Sequence, residues 1–108
     1  MPIIPGPVDT NGYITVPASG GVAIPVFEQD SAGNPVSIGN NPYRFLVKGR
    51  IEKMLEQHPS DPTGKMLVIT ENEARALQTS WLSFTVFDDS DASAPIAVWI
   101  GKIRRTSL

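Results

Sequence analysis

Three aspartates fall within four residues in the stretch "FDDSDASAP", Phe87 to Pro95, and a serine follows two places later. Oxygen ligands at alternating positions are what a calcium loop offers. An EF-hand loop also needs a glycine at its sixth position for the bend and a bidentate glutamate at its twelfth. Counted from Asp89, the first, third and fifth positions are Asp89, Asp91 and Ser93, but the sixth is Ala94 and the twelfth Ile100. Counted from Asp88, the third and fifth become Ser90 and Ala92, which is worse. The loop lacks its bend and its strongest ligand. No metal site is therefore assigned, and Asp89 and Asp91 remain only as candidates for a weak, opportunistic cation contact.

Other chemistry-bearing residues are few. The chain has one histidine, His58, and no cysteine, whereas a tetrahedral metal centre draws on several such ligands. A nucleophile and base could meet only around His58, and no nucleophile-elbow pattern occurs. His58 reads as a loop residue before Pro59. "PTGKM" pairs Gly64 with Lys65 but has no glycine five residues earlier and no Ser or Thr after the lysine, so it is not a phosphate loop. The expectation is a non-enzymatic protein with no cofactor.

The flanks of the acidic stretch explain it better. Leu82, Phe84 and Val86 alternate with Ser83 and Thr85 on one side; Ile96, Val98 and Ile100 alternate with Ala97 and Trp99 on the other. Period-two alternation around a cluster of Asp, Ser and Ala is a β-hairpin signature, with the turn backbone satisfied locally by Asp and Ser. The pattern occurs twice. "VFEQDSAGNPV" (Val26 to Val36) matches "VFDDSDASAPI" (Val86 to Ile96) at a constant offset, and Val22, Ile24 and Ile38 match Leu82, Phe84 and Val98. Two such hairpins, each contributing one face, suit a two-layer β-sandwich.

A length of 108 residues fits one domain with one core. The formal charge of −2 and pI near 5.2 leave no basic footprint, so nucleic acid is not an expected partner. No apolar run is long enough for a membrane span and no charged-then-apolar leader is present, so no membrane association is expected. The lack of cysteine suits assembly in a reducing cytoplasm. Ten prolines and nine glycines break the chain into short elements, which favours strands over helix bundles.

Residues 1–12, "MPIIPGPVDTNG", read as an extended, Pro-rich N-terminal arm. Ile3 and Ile4 on it would need a neighbouring surface to bury against. Residues 13–108 then form the single β-sandwich domain. "YITVP" is a short strand, and Pro25 inside the next strand argues for a sheet edge there. "YRFLVKGR" alternates as a strand, while residues 51–58 are open between strand and helix, because Met54, Leu55 and His58 also fall at helical spacing. "MLVI" is a short strand. Thr70 with Glu73 three residues on is a capping box for one short helix near Glu71 to Leu77. The last long strand runs through "PIAVWIGKIRR".

If Val86 pairs with Ile96, Phe84 faces Val98 and Leu82 faces Ile100, a complete core face. The opposite face then carries Trp81, Phe87, Trp99 and Ile103, with Trp81 opposite Gly101 and Trp99 opposite Ser83. Two arrangements are open. Residues 51–58 or the short helix cover this face, or it is an exposed aromatic surface of the composition found at interface hot spots.

The motifs "YRFLVK", "LVITENEARAL" and "VWIGKIRR", spread over about Val22 to Arg105, resemble the small immunoglobulin-like β-sandwich modules of tailed-bacteriophage virions, including the domain of baseplate upper proteins. The resemblance implies an all-β, immunoglobulin-like two-layer sandwich of about seven strands. It also implies a virion structural protein: a capsid decoration (cement) subunit or a tail or baseplate component. Such a protein is made and assembled in the host cytoplasm, and its partners are other virion proteins or further copies of itself. Assembly would use the aromatic face (Trp81, Phe87, Trp99, Ile103) and the arm (Ile3, Ile4). The alternative is a small carbohydrate-binding or adhesion module whose exposed indoles stack on sugars. Such a site also needs polar groups that fix ring orientation, and only Ser83 and Thr85 are at hand.

Overall fold

Tyr43, Phe45 and Val47 are buried while Arg44 and Leu46 between them are not, and the same two-residue rhythm sets most of the chain. The computed structural model describes residues 8–9, 11–17, 20–91 and 93–106. In chain order its elements are β1 (Ile14–Val16), β2 (Val22–Val26), β3 (Glu28–Gln29), β4 (Pro35–Val36), β5 (Tyr43–Val47), β6 (Ile51–Met54), β7 (Glu56–Gln57), β8 (Lys65–Ile69), α1 (Glu71–Arg75), β9 (Leu82–Asp88) and β10 (Ile96–Arg105). Seven of these strands have three residues or more, and three are two-residue pieces. This is the expected all-β, sandwich-like architecture with one short helix.

One sheet has the order β1-β10-β9-β5-β6, the other β2-β8-β7, and β3 and β4 form a separate small hairpin. β1 runs parallel to β10, and the other pairs are antiparallel. Both sheets contribute to one core: Ile14, Phe45, Phe84, Val86 and Ile103 from the first, and Ile24, Leu67 and Ile69 from the second. β2 is an edge strand, so Pro25 removes no ladder hydrogen bond from a sheet interior.

Residues 51–57 resolve as two strands, β6 and β7, with Leu55 between them. The chain turns at Lys48–Arg50, where Gly49 takes φ +76° and Arg50 N–H donates to Val47 O, and it returns antiparallel to β5. β6 then pairs in the first sheet and β7 in the second, so one stretch crosses between the layers. Helix α1 carries its capping box: Thr70 Oγ1 accepts from Glu73 N–H at 3.2 Å, and Glu73 Oε1 accepts from Thr70 N–H at 2.9 Å. Lys53 Nζ joins edge strand, sheet and helix, donating to Val68 O at 2.7 Å and to Glu73 Oε1 at 2.9 Å.

The two matched segments share their tips and diverge beyond them. Glu28 lies opposite Val36, and Asp88 lies opposite Ile96, the same register at the constant offset. Outward of the tip, however, β2 does not pair with the strand after its own turn. It pairs with β8 in the second sheet. Phe27 marks the departure. Its ring lies against Gly64, where an added Cβ would stand 2.5 Å from a ring carbon, and 5.3 Å from the His58 ring.

The register of β9 with β10 corrects the expected faces. Ile96 pairs with Asp88 and Ala97 with Phe87, but Trp99 is next, opposite Val86. Val98 is thus an extra residue, a β-bulge, and one extra residue turns every later side chain to the other face. Gly101 therefore faces Phe84 and Ile103 faces Leu82. Ile103, expected on the interface face, is fully buried, and Ile100, expected in the core, is 69% exposed. Trp99 packs edge-on against Phe84 with centroids 4.9 Å apart, inside the sandwich and not on its outer face. Gly101 makes room for this packing, since a Cβ there would meet the Phe84 ring at 2.8 Å.

Part of the expected arm is also attached to the sandwich. Val8 bridges Ile14, and Asp9 Oδ1 accepts from Asn11 N–H and Tyr13 N–H, so Val8 folds back on β1. Ile3 and Ile4 lie outside the described residues.

Equilibrium unfolding of two alanine variants tests the bulge. Ile103→Ala is expected to cost about 2–5 kcal/mol and Ile100→Ala no more than about 0.5 kcal/mol. The reverse order would mean that β10 has no bulge.

Candidate functional site

The acidic tip is occupied by its own turns. Asp88 Oδ1 accepts from Ser90 N–H and Oγ–H at 2.9 and 2.6 Å, and Asp91 Oδ1 accepts from Ser93 N–H and Oγ–H at 3.1 and 2.7 Å. The Ser93 hydrogen bonds hold the Asp91 carboxyl below the usual carboxylate range. Asp89 turns away to Arg44, whose Nε lies 2.8 Å from Oδ2. Among the described residues no three metal-ligating side chains converge.

His58 closes a loop. Its Nδ1 accepts from Asp61 N–H at 3.0 Å and Ser60 N–H at 3.2 Å, which places the ring proton on Nε2. Ser60 Oγ is 3.5 Å from that nitrogen, but the acceptor already serves two amides. The nearby Asp61 carboxylate is held by Thr63 N–H and Oγ1–H at 2.9 and 2.7 Å. No base is poised there.

Where the two hairpin tips meet, Glu28 and Asp88 flank Tyr43. Burial pushes the Tyr43 phenol up to about 12, helped by the two negative charges. Burial and then Asp88 also raise the Glu28 carboxyl. Two acids thus stand close to one buried phenol between the two matched segments.

The outer face of the five-stranded sheet is different in kind. Register and alternation place on it Tyr13 and Thr15; Arg104, Lys102 and Ile100; Trp81, Ser83, Thr85 and Phe87; Arg44 and Leu46; and Glu52 and Met54. Residues 51–54, which were candidates to cover this face, instead extend it as edge strand β6. Helix α1 buries Ala74 in the core, and Leu77 just beyond it is buried there too. No described element lies across the face. Ile100, Met54 at 46% and Trp81 at 40% are exposed on it.

Its charges are arranged unevenly. Arg44 bridges Glu52 and Asp89, with its guanidinium carbon 4.7 Å from the Phe87 centroid. Arg104 lies over Trp81 at 4.4 Å, and Tyr13 meets the same indole edge-on at 5.4 Å. Lys102 Nζ donates to Ser83 Oγ at 2.9 Å. Both acids near the face are taken by Arg44, and among the described residues Lys102 and Arg104 have no carboxylate partner. The face mixes large apolar side chains with polar ones and is net positive, on a chain whose formal charge is −2.

Of the interface residues expected from sequence, Trp81 and Phe87 lie on this face, Trp99 and Ile103 turn inward, and Ile3 and Ile4 lie outside the described residues. Ile100, Met54, Leu46, Tyr13, Lys102 and Arg104 complete the face and were not assigned to it from sequence. The available signal was Gly101: a glycine within a strand marks a bulge or a close approach.

No protein-family description matches the chain, and no curated protein is similar to it.

Glu28→Gln tests the acidic junction. A carboxyl whose folded-state pKa is raised stabilises the fold when protonated, and that contribution is lost as pH rises through the folded value. Glu28→Gln is therefore expected to be at least as stable as wild type at neutral pH, with the difference closing below about pH 4. A clear loss of stability at neutral pH would show that the Glu28 charge is favourably paired.

Proposed function

We propose that this protein is a non-enzymatic assembly module that docks through the open face of its five-stranded sheet onto another protein with an apolar and acidic surface. The carrying observation is Ile100, 69% exposed and opposite Thr85 on a face no described element covers. Around it stand Trp81, Phe87, Met54, Tyr13 and two arginines, the residue types enriched at protein interfaces. Burying each large apolar side chain is worth about 1.5–3 kcal/mol before association costs. Charge favours a different protein over a second copy, because the acids of this face, Glu52 and Asp89, are already paired with Arg44 and leave none for Lys102 and Arg104. A virion structural role, in capsid decoration or in a tail or baseplate, is the setting that the strand motifs resemble, and it needs this kind of surface. A sugar-binding role fits less well, since Arg104 occupies one face of the Trp81 indole and Trp99 is turned inward.

The test is a photo-reactive amino acid at position 100 in cells that produce the protein, with Ile100→Asp as the companion. Cross-links are expected at one discrete site on one other protein. The aspartate variant should keep the wild-type melting temperature and lose the association. Cross-links confined to a second copy would replace the proposed partner with self-assembly. No discrete cross-link, together with unimpaired assembly of Ile100→Asp, would remove the docking reading.

A further inference from the structure

At the Trp81 end of the open face, Thr79, Arg104, Arg105 and Thr106 line an open cleft of about 280 Å³. That volume is at the low end for a small-molecule site, which runs roughly 300–1,000 Å³. It suits a side chain or a chain terminus better than a cofactor.

The two arginines are used differently. Arg105 Nε donates to Leu77 O at 3.0 Å and Nη1 to Thr106 O at 3.3 Å, so two of its five N–H donors anchor it to carbonyls and the cleft keeps its charge. The same Leu77 and Thr106 carbonyls hold this guanidinium in place. Arg104 is stacked on Trp81 and, among the described residues, makes no hydrogen bond or ion pair. Stacking uses the flat face of a guanidinium and leaves its edge of N–H donors for a planar acceptor. A guanidinium edge matches one carboxylate with two parallel hydrogen bonds.

We infer that this cleft binds a carboxylate of an acidic peptide segment, gripped by the Arg104 fork, with the Arg105 charge behind it and an apolar neighbour set against Trp81. Phosphate is the rival anion, since Arg105 gives only two of its five N–H donors to carbonyls; the choice falls on carboxylate because the one guanidinium edge left unpaired among the described residues of the cleft, that of Arg104, matches its two oxygens. The identification of the peptide as part of a docked protein rests on the proposed function; the carboxylate site itself does not.

The full chain is titrated by calorimetry with three probes: a blocked peptide of alternating leucine and glutamate, the same peptide with glutamine in place of glutamate, and inorganic phosphate. The acidic peptide is expected to bind with one-to-one stoichiometry. It should outcompete phosphate, and its affinity should fall as salt is raised. The glutamine peptide is expected to bind about ten- to a hundredfold more weakly, the range for losing a hydrogen bond to a charged group. Arg104→Gln should show the same loss at an unchanged melting temperature, and Arg104→Lys should recover only part of it, because it restores charge without the fork.

Equal binding of both peptides, or no effect of Arg104→Gln, would overturn the inference. Tighter binding of phosphate would overturn the choice of carboxylate. Ile100→Asp separates this site from the docking surface. If the variant binds the acidic peptide as wild type does, the cleft stands whatever becomes of the larger surface. If the acidic peptide fails to bind while position 100 still cross-links to a partner, the docking face stands and the cleft does not.

Discussion

One extra residue in β10 determines which side chains hold this sandwich together. With Val98 bulged, Trp99, Gly101 and Ile103 turn inward to meet Val86, Phe84 and Leu82. Without it, Ile100 would take their place and the glycine would lie on the surface. The inward set is a matched group. Phe84 needs the missing Cβ at Gly101, Trp99 needs the Phe84 edge, and Phe45 completes the aromatic run with centroids 5.5 Å from Phe84. A side-chain period of two allows no compromise between these arrangements.

Cationic side chains then tie the layers at their margins. Lys53 reaches from edge strand β6 to Val68 O in the opposite sheet and to Glu73 of the helix. Burial alone would raise the Glu73 carboxyl, but the hydrogen bond from Thr70 N–H and the Lys53 ammonium outweigh it and leave the carboxyl below its usual range. Arg50 and Arg105 supply donors to Ala76 O and Leu77 O, carbonyls at the helix exit that a five-residue helix leaves without partners. These pairs are partly exposed, and their role is positional more than energetic. They hold the loop from Ala76 to Trp81 beside β10, which is what brings Thr79 next to the two arginines.

The open face follows from the same construction. Since β6 and β7 continue as one stretch across both sheets, residues 51–57 are consumed in making the edge and none remain to roof the first sheet. The bulge sends Ile100 outward, and the acids nearby are drawn to Arg44. What remains is a half-buried aromatic and aliphatic surface with uncompensated positive charge, a composition that a solvated sheet face does not need.

Much of the architecture could be read locally. The alternation in β5, β8 and β9, the Thr70 and Glu73 capping box, the Asx turns at the two tips and the edge position marked by Pro25 all depend on residues close in sequence. The physics of each is complete within a few bonds of backbone. The Trp81 and Phe87 positions were legible for the same reason, because β9 keeps its rhythm unbroken. The facing of β10, the partner of β2 and the strand state of residues 51–57 were not. Each rests on a long-range choice between arrangements of nearly equal local merit. A bulge is decided by whether Gly101 can receive the Phe84 ring. A strand's neighbour is decided by where Phe27 and Gly64 pack. Met54 and Glu56 are strand residues because β5 and β8 offer open edges to pair with. Sequence by itself determined the elements and their amphipathic rhythm; tertiary structure decided which face of β10 is inside, because only the packed core can weigh a ring against a missing Cβ.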